Sequence, residues 1–240
     1  MSSKQRTIKK EVALMGIGLH TGQKATITFK PAKDNEGFKF RRVDLEGKPY
    51  VNADVYNVVD TSRGTTLEQN GARVHTTEHV LAAAYGLELD NLIMELDGPE
   101  VPIMDGSAAT FVEVLKQAGM EEQQAEKEYF VITENLTYED TERQTEMLAV
   151  PQDEFRVTVM VDYNSSILGT QHAQMYHLGE FEEEVSRCRT FVFLRELEFL
   201  AKNNLIKGGD LDNAIVIVDR VVQDDELRAA VLAERGMATI

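Results

Sequence analysis

The chain has 240 residues, of which 42% are hydrophobic and 28% charged, and its formal net charge is -16. That length can bury a substantial core in one large domain or two small ones, and the composition is that of an ordinary globular protein. So negative a chain argues against a nucleic-acid partner or an anionic-membrane surface, both of which need a positive field, although a local basic cluster can still hold a phosphorylated ligand.

The first ten residues are basic and polar, and Glu11 and Gly16 interrupt the segment after them, so no signal-peptide core is present. No apolar run reaches membrane-spanning length, which predicts no stable membrane insertion. Cys188 is the single cysteine, so an intrachain disulfide is excluded and a reducing, cytoplasmic location is expected. Nothing in the sequence sets an oligomeric state.

In chain order, Thr7–Leu14 and Ala25–Lys30 read as strands, the second with clean alternation. Between them Gly16-Ile17-Gly18-Leu19-His20-Thr21-Gly22 is a connection opened by three glycines. Gly37–Val43 is a further alternating strand. Thr65–Glu68 and Ala72–His75 flank Gln69-Asn70-Gly71, whose Asn-Gly step signals a hairpin. Then comes Thr76-Thr77-Glu78-His79, running into Val80-Leu81-Ala82-Ala83-Ala84. Thr76 or Thr77 can cap a helix there, and the Leu/Ala run predicts that it continues to about Gly86. Asn91–Leu96 comes next as a strand, and Ser107 caps a helix through Leu115 that stops near Gly119.

Residues 121–128 are charged, lack an apolar stripe, and form the expected linker between a first unit, 1–120, and a second, 129–240. In the second unit Tyr129–Ile132, Glu146–Val150, Arg156–Val161 and Gln174–Tyr176 read as strands, with helices near Phe181–Cys188 and Phe193–Asn203. A strand at Ala214–Val218 and a helix after Asp224-Asp225-Glu226-Leu227 complete the pattern, with no segment equivalent to the one that closes the first unit. Strands leading into helices on both sides of a linker predict an α+β fold of two similar domains, the second incomplete.

Glu78 and His79 are the leading candidates for chemistry. Adjacent helical residues point about 100° apart, so they cannot share one narrow face, but they can flank one small volume. The imidazole would hold a metal and the carboxylate manage a proton, as a metal-dependent hydrolase requires. A half-buried histidine beside a first-turn acid favoured by the helix dipole explains the same pair without chemistry. His75 reads as structural, and His172 and His177 as solvent or interface residues. His20, between glycines, either meets a ligand or bonds the backbone. Asp105, in Val101-Pro102-Ile103-Met104-Asp105-Gly106-Ser107, is either a turn residue or an acceptor orienting a ligating histidine. Thr190 can donate to a developing oxyanion or cap a helix, and Lys207-Gly208-Gly209-Asp210 is a flexible turn.

Taken in order, six segments resemble one family, the zinc-dependent UDP-3-O-acyl-N-acetylglucosamine deacetylases of lipid A synthesis. They are Gln5-Arg6-Thr7, Gly16–Gly22, Thr77-Glu78-His79, Ile103–Ala109, Arg187-Cys188-Arg189-Thr190-Phe191 and Gly208–Val216, which together span nearly the whole chain. The resemblance implies two similarly folded α+β domains, each a sheet packed with helices, with the active site between them. It makes His79 a ligand of Zn2+, Glu78 the general base on zinc-bound water and Thr190 a stabiliser of the oxyanion. Asp105 supports the site from behind the ligands, and His20, Leu19 and Phe191 belong to its surround. Residues 191–216 match the insert that forms a passage for the acyl chain of the substrate, UDP-3-O-acyl-N-acetylglucosamine.

The chain departs from the family pattern in one respect. The family's further ligands, a histidine and an aspartate, and a later histidine acting as general acid, fall beyond Ile240, and no histidine occurs after His177. The expectation is an amino-terminal portion of a longer enzyme, incomplete for catalysis, with Lys207–Val216 resembling forms fused to a 3-hydroxyacyl-carrier-protein dehydratase. The alternative is a non-catalytic binding or regulatory remnant of that family.

Overall fold

A computed structural model describes residues 3–203, 205–219, 221 and 223. The chain enters as β1 (Lys4–Ile8), turns through exposed Lys9, Lys10 and Glu11, and continues as β2 (Val12–Ile17). The single strand expected over Thr7–Leu14 is therefore two. The Lys9 amide donates to the Gly119 carbonyl at 2.9 Å, which directs β1 away, while β2 opens an antiparallel ladder with β3 (Lys24–Pro31).

β3 lies next to β9 (Leu92–Leu96), which in turn pairs in parallel with β4 (Phe38–Arg42), and β4 is flanked by β5 (Tyr50–Asn52). The result is a five-stranded sheet of order β2-β3-β9-β4-β5. Its alternation is the one legible in sequence: Ala25, Ile27 and Phe29 point inward from β3, and Leu92, Met94 and Leu96 from β9. A smaller three-stranded sheet holds β6 (Val58–Asp60), β7 (Thr66–Gln69) and β8 (Ala72–Val74). Asn70 and Gly71, with φ of 53° and 74°, supply the left-handed pair that closes its hairpin.

Two helices cover the large sheet. α1 (Glu78–Gly86) buries Val80, Ala83 and Ala84, and α2 (Ala109–Ala118) buries Phe111, Val112, Leu115 and Ala118, the i, i+1, i+4, i+7 stripe of an amphipathic helix. Phe111 meets Phe29 edge to face at 6.5 Å. Full burial of a Phe, Leu or Met side chain stabilises by about 1.5–3 kcal/mol, so this face contributes substantially to the stability of the first half. The cap expected at Ser107 falls one residue later: Ala108 occupies the N-cap position without a side-chain cap bond, and Ser107 Oγ, from just outside the helix, accepts from the Ala109 amide at 3.1 Å.

The segment expected to be a linker is in large part β10 (Met120–Glu126), antiparallel to β1 with Ile8 opposite Met120. It needs no apolar stripe because polar side chains hold it. The Gln123 amide donates to the Ala32 carbonyl at 2.9 Å, and the Asp34 carboxylate accepts from the Gln124 and Ala125 amides at 3.1 and 2.7 Å. Buried Asn91 donates to both Gln5 and Gln123, each at 2.8 Å.

Tyr129–Ile132 does not form the expected strand among the described residues, where no neighbouring segment pairs with it, and Phe130 stands 91% exposed. Two hairpins come next, β11 (Leu136–Asp140) with β12 (Thr145–Ala149), and β13 (Val157–Asp162) with β14 (Thr170–Met175). β11 is not evident in the sequence. Among the described residues neither hairpin joins a larger sheet or is covered by a helix, and Tyr138, Met147, Leu148 and Met160 are exposed. Met175, Leu178 and Phe181 reach back into the core of the first half. The helix expected near Phe181–Cys188 is a single π-helical turn, Phe181–Val185. Its first ring presses on Gly86 at the end of α1, where a Cβ would lie 2.1 Å from the Phe181 ring.

β15 (Phe191–Phe193), α3 (Leu194–Lys202) and β16 (Ile215–Ile217) form a β-α-β unit whose strands run parallel. This unit fills the segment 191–216. The helix expected after Asp224 lies outside the described residues. Among those described, no helix is long and apolar enough to cross a membrane.

Candidate active site

β8 ends at Val74, and the backbone then turns sharply, with Thr76 at φ 58°, to deliver Thr77 to the start of α1. Thr77 stands at the N-cap position, but neither threonine makes a side-chain cap bond to the helix. Both are buried and spend their hydroxyls on distant partners: Thr77 donates to the Thr65 carbonyl at 3.1 Å, and Thr76 to the Glu100 carboxylate at 2.9 Å. These bonds fix the direction in which α1 leaves the turn.

Glu78 occupies the first turn, where the helix dipole favours its negative charge. Its Oε2 accepts from the Thr65 amide at 2.8 Å, while Oε1 stands 3.9 Å from His79 Nε2. That separation is too long for a hydrogen bond and short enough for both groups to face one reacting centre. Burial holds the His79 imidazole below its usual pKa, partly offset by the nearby Glu78 and Asp105 carboxylates. The neutral ring keeps a lone pair at near-neutral pH, as a metal ligand must.

Asp105 sits between Met104 and Gly106, both at positive φ, and its Oδ1 accepts from the Ser107 amide and hydroxyl at 3.1 and 2.8 Å. Gly106 closes against two later parts of the chain: a Cβ there would lie 2.0 Å from the Asn213 carbonyl oxygen and 3.3 Å from Thr190 Cγ2. The Thr190 amide donates to the Gly106 carbonyl at 2.8 Å, and Arg189 Nε to the Asp105 carbonyl at 2.6 Å. Asp105 is thus close enough to His79 for its charge to act on the imidazole, and Thr190 is joined to the Asp105 turn through Gly106.

His20 occupies a neighbouring cavity of about 380 Å³, lined also by Thr21, Arg63, His75, Thr76 and Lys207. Its Nδ1 lies 2.9 Å from the Leu205 carbonyl and its Nε2 3.0 Å from the Arg63 carbonyl, so it bridges backbone from two other segments. Leu19 is half-buried and accepts from the Gly208 amide at 3.0 Å. Phe191, 40% exposed, meets Tyr163 and Phe193 edge to face at 5.5 and 5.7 Å. Leu19, Phe191 and the Glu78–His79 pair do not line the His20 cavity, but the Gly64–Thr65 rim joins the two places, because Thr65 binds Glu78 and Gly64 lines the cavity. His172 lies on exposed β14, and His177 is half exposed, 3.3 Å from Glu180.

Among the described residues no group of three or more histidine, cysteine, aspartate or glutamate side chains is placed to hold a metal ion. Catalytic zinc takes three protein ligands, so His79 with the carboxylates beside it supplies at most part of such a site. Arg63 and Lys207, which line the His20 cavity, and Glu100, bonded to His20, Thr21 and Thr76 beside it, are residues to which the sequence reading assigns no site role. Only the Pro99-Glu100-Val101-Pro102 setting hints at Glu100, as an acid in a rigid connection.

A family model described as UDP-3-O-acyl N-acetylglycosamine deacetylase matches residues 5–231. The bifunctional enzyme LpxC/FabZ of Chlorobaculum tepidum is 50% identical over 232 residues, 96% of this chain and 49% of that protein. The protein of the same name from Bacteroides thetaiotaomicron is 45% identical, over 92% of this chain and 48% of its own length. The UDP-3-O-acyl-N-acetylglucosamine deacetylase of Methylococcus capsulatus is 42% identical, over 94% of this chain and 75% of its own length. The chain therefore spans about half the length of the bifunctional relatives it matches.

Proposed function

The chain belongs to the LpxC family of UDP-3-O-acyl N-acetylglycosamine deacetylases, and from that premise we propose that it carries the amide-hydrolysing centre of a lipid A biosynthetic deacetylase. The substrate would be UDP-3-O-acyl-N-acetylglucosamine, the molecule named for the Methylococcus capsulatus relative. Identity of 50% to a bifunctional relative against 42% to a single-function one favours kinship with the bifunctional branch. A cytoplasmic location and a two-domain arrangement, with the site between 1–120 and 129–240, belong to the same proposal.

The observation that carries it is the Glu78–His79 pair: a carboxylate at a helix start, 3.9 Å from a half-buried neutral imidazole. Glu78 takes a proton from the water whose oxygen adds to the acetamide carbonyl carbon. The Thr190 hydroxyl, which makes no hydrogen bond among the described residues, is free to donate to the oxyanion that forms. The C–N bond then breaks as the nitrogen takes up the proton that Glu78 holds, leaving acetate and a free glucosamine amine. The aromatic group of Tyr163, Phe191 and Phe193 offers an apolar wall for an acyl chain. Zinc, when bound, would polarise the carbonyl and acidify the water, and His79 is the one imidazole here suited to it. The described residues do not complete its ligand set, so no step is routed through the metal. That shortfall is also the observation favouring a second reading, a portion that binds substrate without turning it over.

Acetate release from UDP-3-O-acyl-N-acetylglucosamine tests the proposal. Glu78→Gln should lower turnover by about 10²–10⁴-fold while the unfolding transition stays where it is. Equal turnover in both proteins would remove Glu78 from the mechanism. No release from the unmodified chain, with no zinc retained on purification, would favour the binding reading.

A further inference from the structure

Glu100 is 1% exposed, and among the described residues no lysine or arginine pairs with it. An unpaired buried carboxylate is expensive in a low-dielectric interior, and it persists when donors surround it. Four do so here. Oε1 accepts from the His20 amide at 3.0 Å and the Thr76 hydroxyl at 2.9 Å, and Oε2 accepts from the Thr21 amide at 2.9 Å and the Thr21 hydroxyl at 2.7 Å. The backbone on either side of Glu100 is pinned to the same place: the His75 amide donates to the Pro99 carbonyl at 2.9 Å, and the Val101 amide to the His75 carbonyl at 3.1 Å. Gly18 lets the loop come this close, since a Cβ there would lie 2.3 Å from Glu100 Oε2.

We propose that Glu100 is a positioning residue, whose buried carboxylate ties the loop carrying His20 to the turn that delivers Glu78 and His79. The two segments lie far apart in sequence, and one anion satisfies donors from both. Packing alone would be served by an apolar side chain of the same size, whereas only an acceptor-only group can take four donors at once. Without it the 18–22 loop loses its anchor, and His20 leaves the Arg63 and Leu205 carbonyls that it bridges across the cavity. Glu78 keeps a separate bond from the Thr65 amide, so the effect falls on the cavity and its occupant before it reaches the proton transfer.

The test is Glu100→Gln in the full chain, because the amide keeps the shape and replaces one acceptor by a donor. Hydrogen exchange at His20 and Thr21 should accelerate by about tenfold or more, the loss of a charge-assisted bond, with protection at Ile27 and Met94 in the large sheet unchanged. The His20 ring resonances should shift as well. Should Glu100→Gln fail to fold, Thr21→Val removes one donor without disturbing the carboxylate, and the same change at His20 is expected. Exchange and ring signals identical to the unmodified chain would overturn the proposal. So would loss of protection spread equally over His20, Ile27 and Met94, which would make Glu100 merely structural. The kinetic arm rests on the deacetylase reading: KM should rise more than kcat falls. Absence of turnover in the unmodified chain would sink that reading, while the exchange result still decides the role of Glu100.

Discussion

Gly106 offers a sharp test of how the Asp105 turn is joined to the insert. Its φ of 82° lies where an L side chain is strained, and a Cβ would sit 2.0 Å from the Asn213 carbonyl oxygen and 2.9 Å from that carbonyl carbon. The obstacle is backbone, so no side-chain rotation relieves it, and Asn213 must retreat by about 1.5 Å to restore an ordinary contact. That retreat pulls on Asn213, whose amide and side chain are bonded to the Asp210 carbonyl and amide at 3.0 and 2.8 Å. It also pulls on the link from the Thr190 amide to the Gly106 carbonyl at 2.8 Å. Left-handed strain of about 1–2 kcal/mol plus one or two weakened hydrogen bonds at about 1 kcal/mol each brings Gly106→Ala to about 3 kcal/mol. Gly47→Ala is the matched control: φ is 73° but nothing lies within 4 Å of the added Cβ, so only the strain remains. At about 2–4 °C per kcal/mol for a chain of this size, Gly106→Ala should melt several degrees below Gly47→Ala. Exchange at the Thr190 and Ile215 amides should accelerate only in the former. Equal melting temperatures, with Thr190 still protected, would refute the claim that this contact seats the 191–216 segment on the Asp105 turn.

Two further outcomes are expected from buried polar groups. Burial holds His75 below its ordinary pKa despite the opposing pull of Glu100, so its folded form resists protonation. The stability tied to the neutral ring is present above the unfolded value of about 6.5 and is lost as pH falls through it towards the lower folded value. Urea midpoints at pH 7.5 and 5 should therefore converge in His75→Asn, and an unchanged acid loss would assign the effect to other groups. Asn91, 1% exposed, donates to Gln5 and Gln123 at 2.8 Å each and accepts from the Gly37 amide at 2.7 Å. Asn91→Ala strands those partners and should cost on the order of 2–4 kcal/mol in denaturant unfolding; a change within about 0.5 kcal/mol would show that water replaces the asparagine.

The limits of α1, the Asn70–Gly71 hairpin and the inward faces of β3 and β9 were legible because each is written in adjacent residues. A Leu/Ala run, an Asn-Gly step and strict alternation act over one or two turns of chain. The same holds for the Glu78–His79 pair, whose neighbourhood follows from sharing a helix start. The reading failed where a segment's state depends on a partner elsewhere. Residues 121–126 look like a solvated linker until β1 lies beside them, and Tyr129–Ile132 looks like a strand but has no neighbour among the described residues. Thr76 and Thr77 look like caps until distant acceptors claim their hydroxyls.

By itself, then, the sequence determined the periodic elements of the first half, the adjacency of Glu78 and His79, and the family to which the motifs belong. Tertiary structure alone decided that β10 closes on β1, that β15 and β16 run parallel, and that Glu100 gathers donors from His20, Thr21 and Thr76. The physical reason is range. Propensity, turn chemistry and amphipathic spacing are set by neighbours along the chain, whereas strand pairing and the solvation of a buried carboxylate are set by groups that only folding brings within hydrogen-bond distance.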